Sequence, residues 1–451
     1  MANQLSMTQG HPGKLLLRFA LPLMFGNVFQ QLYTVVDTAI VGRGVGIDAL
    51  AALGTVDWLN LMFFGIAQGF SQGFSVRMAQ KYGEGDTEGL RRAIGVSARL
   101  TILIALVASL VGQLALPLFL NILQVPTSLR EMATLYSRII LAGIPAMLFY
   151  NFCASTLRAV GDSKTPLWAM ATAAITNIVL DCLAVFVLGW GIAGAAAATV
   201  LSQCLSGTLC AVKIARTSQL RFTKAHMARD PALSKTLMGL GVPVALQNII
   251  ISVGGMAVQS VVNHFDTSFI AGFTATNKLY GILEIAALSY GYAVTTYTGQ
   301  NFGAALWDRI RKGVRWAVVI SLITSAVIGG VMILFGRGVT MLFISSDTPE
   351  LAAAAGETAY LYLCVMSAFL PVLYLLYAYR SALQGMGNTL IPLLSGIVEV
   401  VMRVGIAVFI GMMGGREEIF SAEPAAWVGA TVLLGAAYYY KAAKLGRDIV
   451  A

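Results

Sequence analysis

Leu157–Pro166, LRAVGDSKTP, returns in the second half of the chain as Leu383–Pro392, LQGMGNTLIP. Both copies read L-x-x-x-G-[DN]-[ST]-x-x-P, and both lie between long apolar stretches. Working outward, Pro22 matches Pro243, Ala49–Gly54 matches Phe269–Thr274, and Gln80, Gly83 and Arg91 match Gln300, Gly303 and Arg311. The near-constant offset makes the chain a doubled unit. Repeats of this kind build many membrane transporters, whose substrate sites lie at the interface between halves.

Composition agrees with a membrane setting. Of the 451 residues 57% are hydrophobic and 11% charged, against about 25% charged for a soluble domain, and the mean hydropathy is +0.77. A helix crossing the hydrocarbon needs about 20 apolar residues, and twelve such stretches can be counted between residues 15 and 441. The expected fold is an all-α polytopic membrane protein of 12 transmembrane helices in two pseudo-symmetric six-helix lobes. The lobes are read as 1–212 and 236–451, joined by a basic cytoplasmic linker over 213–235. An even number of spans per repeat makes the halves parallel, related by an axis along the membrane normal.

Charge placement orients the bundle, because short cytoplasmic loops accumulate Lys and Arg. With the N-terminus inside, the inner segments hold Arg77, Lys81, Arg91, Arg92, Lys213, Arg216, Arg221, Lys224, Arg229, Lys235, Arg309, Arg311, Lys312, Arg315, Arg380, Lys441 and Lys444 among others. Outer segments hold only Arg43, Arg130, Arg337 and Arg416. Both termini are therefore expected in the cytoplasm, and the net charge of +9 is explained by topology and membrane lipids rather than a nucleic-acid partner. The five cysteines show no CxxC spacing, and no small-residue cleavage site follows a short apolar core, so the first span is expected to be retained. With no Walker A loop, HExxH or GxSxG present, neither ATP hydrolysis nor hydrolase chemistry is indicated, and no cofactor is expected.

The chemistry-bearing residues are those that a bilayer should exclude. A carboxylate inside a span costs several kcal/mol, so it reads as functional and facing the protein interior. Asp37 lies on span 1, and Asp181 on span 5 with Asn177 one turn before it. Thr199 on span 6 and Tyr136 on span 4 reach a similar depth. Together these oxygen-bearing side chains describe a site for a hard cation or a proton; a buried hydrogen-bond network joining helices is the structural alternative. Asn27, Gln30, Gln31 and Asn151 are candidates to line a substrate cavity. In the second half Ala407 stands where Asp181 would be and Val258 where Asp37 would be. There Glu284, Glu399 and Arg403 are the intramembrane charges, and the four-residue spacing of Glu399 and Arg403 allows an intrahelical ion pair. Either these charges neutralise one another, or they line the cavity and meet cargo. Gly65, Gly69 and Gly73 form a small-residue stripe that lets another backbone approach. Pro22, Pro145, Pro243 and Pro371 interrupt spans, and Pro22 is the candidate hinge.

Pro22 followed by Asp37 in VVDTAIVG, the Gln80–Gly83 turn, the doubled LRAVGDSKTP and LQGMGNTLIP segments, and Asn177–Asp181 in NIVLD together resemble the multidrug and toxic compound extrusion (MATE) family over nearly the whole chain. The resemblance implies two six-helix lobes forming a V in a bacterial cytoplasmic membrane. It also implies export of small amphipathic, often cationic, compounds against Na+ or H+, by a protein expected to act as a monomer. Carried over, Asp37, Asn177, Asp181, Thr199 and Tyr136 match the family's N-lobe cation site. Some members use acids on spans 7 and 10 instead, where this chain has Ile251 and Leu373–Tyr374. A flippase for a lipid-linked or amphipathic lipid shares the doubled architecture and is the alternative.

Overall fold

The computed structural model describes residues 5–341, 344, 349–413 and 417–447. Arg416, counted above as an outer charge, lies outside the described residues. Among the described residues thirteen α-helices follow one another: α1 Pro12–Gly44, α2 Ile47–Glu84, α3 Thr87–Ile122, α4 Arg130–Ala142, α5 Ile144–Ala159, α6 Lys164–Cys182, α7 Gly191–Arg216, α8 Pro231–Val262, α9 Thr267–Gly303, α10 Trp307–Met341, α11 Pro349–Gly385, α12 Leu390–Met413 and α13 Ala422–Arg447. Among the described residues there is no strand. Short helical turns occupy Lys224–Met227 and Glu417–Ser421, and a π-turn, Leu183–Val187, extends α6.

Each expected span falls on one helix or one helix pair. Among the described residues nine helices are long and apolar enough to cross a membrane, and two bent pairs raise the number to eleven. The twelfth position is α9, 37 residues long, whose many Thr, Tyr, Gly and Asn residues make it less apolar than its neighbours. Both bends measure 43°. One divides Asp48–Asp57 from Leu59–Glu84 within α2; the other separates α4 from α5, where Gly143 is the junction and Pro145 opens the new helix. A proline at a helix start loses no hydrogen bond, so Pro145 begins a helix rather than kinking one. Pro22, Pro243 and Pro371 lie inside continuous helices.

The repeated decapeptide proves to be a helix-to-helix turn. Gly161 and Gly387 take left-handed φ of +84° and +78°, a conformation that costs glycine nothing and other residues ~1–2 kcal/mol. The following Asp162 accepts from the Thr165 N–H and hydroxyl at 2.9 and 2.7 Å. Asn388 accepts from Ile391 N–H at 3.3 Å. Each acid or amide thus caps the next helix, which is why both copies alternate Asp with Asn. The matched arginines repeat a role too. Arg91 donates to Ser218 O and Arg311 to Ala442 O, at 2.8 and 2.9 Å, so each ties the third helix of its half to the end of the sixth.

The chain divides into two compact units: Met1–Ser6 with Leu21–Leu246, and Met7–Ala20 with Gln247–Ala451. This differs from the lobes expected at 1–212 and 236–451. The opening turns of α1, before Pro22, belong to the second unit, and the opening turns of α8 belong to the first. The expected linker is not free-standing. Its 3-10 turn seats on α3, where a Cβ on Gly95 would lie 2.6 Å from the His226 carbonyl carbon. The small-residue stripe of α2 explains the placement of α8: Cβ atoms on Gly69 and Gly73 would come within 2.4 and 2.5 Å of Ala245 and Gly241 backbone atoms, a backbone-to-backbone approach only small residues permit. In the second unit Phe269, Phe420, Tyr362 and Phe273 stack in series, with centroids 4.7–5.5 Å apart.

Candidate functional site

In the first unit α1 and α6 bring two acids together. Asp181 is fully buried and Asp37 is 8% exposed, and their carboxyl groups lie within hydrogen-bonding reach of one another. With both ionised neither carboxylate can donate, and among the described residues Asp37 Oδ1 and both Asp181 oxygens are buried without a partner. Asn177, one turn before Asp181 and 1% exposed, has both amide atoms unpartnered as well. Five orphaned polar atoms in one place are contrary to the rule that buried polar groups find partners. Two adjacent carboxylates also repel unless something positive sits between them.

The local backbone is specialised at this point. The helix leaves α-geometry one residue after Asp181, through Cys182 into the π-turn Leu183–Val187, a distortion that recurs at functional sites. Tyr136 of α4 is buried and close enough to both acids to feel their charge. Asn177 and Thr199 share the wall of a small cavity of about 30 Å³ with Gln30, Asn151, Tyr33 and Gln203, room for a water or two. Two of the expected substrate residues, Gln30 and Asn151, are thus continuous with the expected cation residues. Gln31 is exposed and Asn27 half-buried, and neither lines this cavity.

Two participants escaped the reading of the sequence. Tyr33, one turn before Asp37, lines the cavity and lies near both acids. Asp57, at the bend of α2, is close enough to act electrostatically on Asp37 and Tyr136. Its signal was present: Asp57 is an acid inside an apolar span, the criterion that singled out Asp37.

The second unit handles its charges differently. Glu399 and Arg403 do not pair with each other. Glu399 is in an ion pair with Arg380 of α11, and Arg403 with Glu423 of α13 at 2.7 Å. Residues four apart share a helix face, but a partner on a neighbouring helix approaches end-on without bending either side chain back, and here both acids and both arginines are nearly buried. Arg380, counted with the loop cations, is therefore an interior residue. Its guanidinium also donates to the Gln247 amide oxygen at 2.7 Å. Glu284 accepts from the hydroxyls of Tyr280 and Tyr377. Val258 and Ala407, the counterparts of Asp37 and Asp181, are buried apolar residues, so the carboxylate pair is not copied at these positions.

Comparison with known proteins agrees with this architecture. The MatE family model matches residues 22–183 and 243–409, two blocks that coincide with the repeat. Probable multidrug resistance protein YoeA of Bacillus subtilis is 30% identical over 343 residues, covering 73% of each chain. Probable multidrug resistance protein YpnP of the same organism is 31% identical over 350 residues, covering 78% of each. A solved structure of MATE in complex with MaL6 superposes with a TM-score of 0.91 at 23% identity, over 98% of this chain and 99% of that one, a likeness of fold. With the doubled unit, the membrane-length helices and the family match in agreement, this chain belongs to the MatE family of multi-pass membrane transporters and is not an enzyme.

Proposed function

We propose that the chain is a secondary active exporter of small amphipathic, often cationic, organic compounds, driven by Na+ or H+ moving inward through the first unit. The observation that carries this reading is the Asp37–Asp181 pair, in which Asp37 Oδ1 and both Asp181 oxygens are buried with no hydrogen-bond partner among the described residues. Asp37 and Asp181 either share a proton or, with the Asn177 carbonyl, Thr199 and Tyr136 as further oxygen donors, hold Na+. The chemistry of this donor set suits a hard cation. Loading neutralises the pair, and a ligand shifts a conformational equilibrium only by binding one state better. The loaded pair draws α1 toward α6 with Pro22 as the hinge, and this change of conformation releases cargo outward. The multidrug names of the Bacillus relatives support this cargo class.

The chain is read as a monomer in a bacterial cytoplasmic membrane with both termini inside, using no cofactor beyond its coupling ion. Arg380 and Arg403, the cations a lipid phosphate would need, are already paired with Glu399 and Glu423, which favours the exporter over the flippase. Efflux of a fluorescent cationic dye from inverted vesicles, under a Na+ gradient or a proton gradient imposed separately, tests the proposal. Wild type is expected to respond to one gradient, and Asp37→Asn to lose at least about tenfold of that rate, ~1.4 kcal/mol of coupling. Full ion-driven transport in Asp37→Asn would refute the site.

A further inference from the structure

A second cavity lies outside the carboxylate site, on the flank of the first unit. It is a cleft of about 500 Å³ between α3 (Ala98, Thr101, Ala105), α5 (Phe149, Phe152) and the end of α7 (Ala215), closed at its basic end by Arg221, Phe222 and Met227 of the linker. Such a volume is in the range of small-molecule sites, about 300–1,000 Å³. Its walls are almost wholly apolar, and its rim is exposed: Ile102, Leu106 and Phe149 are 52%, 59% and 37% exposed.

The linker wall is built in place rather than loosely draped. Arg92 pairs with Asp230 at 2.9 Å, Arg99 donates to Met227 O at 3.4 Å and to Ser234 Oγ at 3.2 Å, and the His226 ring meets Glu88 at 2.9 Å. Each of these α3 side chains is engaged in holding the linker. Arg221 is different. Its guanidinium has no ion-pair or hydrogen-bond partner among the described residues, yet it stands at the cleft's polar end, in a segment with Lys213, Arg216, Lys224 and Arg229.

An apolar slot opening sideways between membrane helices and ending at one unpaired arginine is complementary to a molecule with an aliphatic chain and a negative head. We propose that the cleft holds one acyl chain of an anionic membrane phospholipid, with the lipid phosphate on the Arg221 guanidinium. Arginine suits phosphate because its planar fork donates two parallel hydrogen bonds, and basic segments beside membrane helices attract anionic lipid. The bound lipid would bridge α3, α5, α7 and the linker, away from the carboxylate pair.

Native mass spectrometry of the full-length protein in detergent, supplied with phosphatidylglycerol or phosphatidylcholine, tests this. Wild type is expected to retain one phosphatidylglycerol in about tenfold preference, as a single charge-assisted contact allows. Arg221→Gln, at an exposed position, should lose that preference while still taking up a chain, and Arg221→Lys should restore part of it. Ala215→Trp, which fills the slot from an exposed position, should lower retention of both lipids. Equal retention of the two lipids by wild type, or unchanged retention in Arg221→Gln and Ala215→Trp, would overturn the proposal. So would a lipid-free dimer dissociated by Ala215→Trp, which would make this face an interface between copies.

Discussion

Asp181 and Asn177 are costly residues to bury, and under the proposed function their unpartnered atoms are the ones that the coupling ion or proton satisfies. The stability of the first unit should therefore respond to the coupling ion. In a thermal unfolding series on purified protein, raising the coupling ion to ten times its dissociation constant should stabilise wild type by about 1.4 kcal/mol. Asp181→Asn should remove that response and leave the ion-free protein at least as stable as wild type, since it relieves the repulsion between carboxylates. A retained ion response would place the coupling elsewhere. Arg380 illustrates the opposite case, a charge whose partner is internal. Arg380→Ala strands Glu399, which is 4% exposed, and should cost about 3–5 kcal/mol, whereas Arg380→Met combined with Glu399→Leu should recover most of the loss. Chemical or thermal unfolding of the single and double variants measures both.

At the scale of elements, small residues decide which helices meet. Gly69 and Gly54 both lie on α2, but a Cβ on Gly69 would fall 2.4 Å from the Ala245 Cα while one on Gly54 would meet nothing within 4 Å. Gly69→Ala must force α2 from α8 and is expected to lower thermal stability by ~2 kcal/mol, comparable to overpacking a core. Gly54→Ala, in open space, should be neutral or stabilising by about 0.5–1 kcal/mol. Equal effects of the two would mean that the close approach does not hold α8. The π-turn after Asp181 is the other decisive local feature. No side chain in Leu183–Val187 announces it, because a widened turn is selected by what the helix packs against rather than by the propensity of its own residues.

For the whole molecule, the distribution of basic residues predicts sidedness. In a background with its five cysteines replaced, Ser218→Cys in the linker should react with an impermeant thiol reagent only in inverted vesicles. Thr127→Cys, between α3 and α4, should react only in right-side-out vesicles; labelling of both from one side would refute the orientation. By itself, the sequence determined that the chain is a doubled, all-helical membrane protein. Apolar length, the glycine-containing decapeptide and the positions of Pro22 and Asp37 are local properties that residue order carries directly. It also singled out Asp37, Asn177 and Asp181, because an acid in hydrocarbon is conspicuous whatever surrounds it. Only the tertiary structure decided that the two carboxylates face each other, that Asp57 and Tyr33 join them, and that Glu399 and Arg403 each take a partner from another helix. It also decided that the first turns of α1 and α8 belong with the opposite halves of the chain. These are pairings across distant residues, set by which helix faces come within a few ångströms, and spacing along one helix does not encode them.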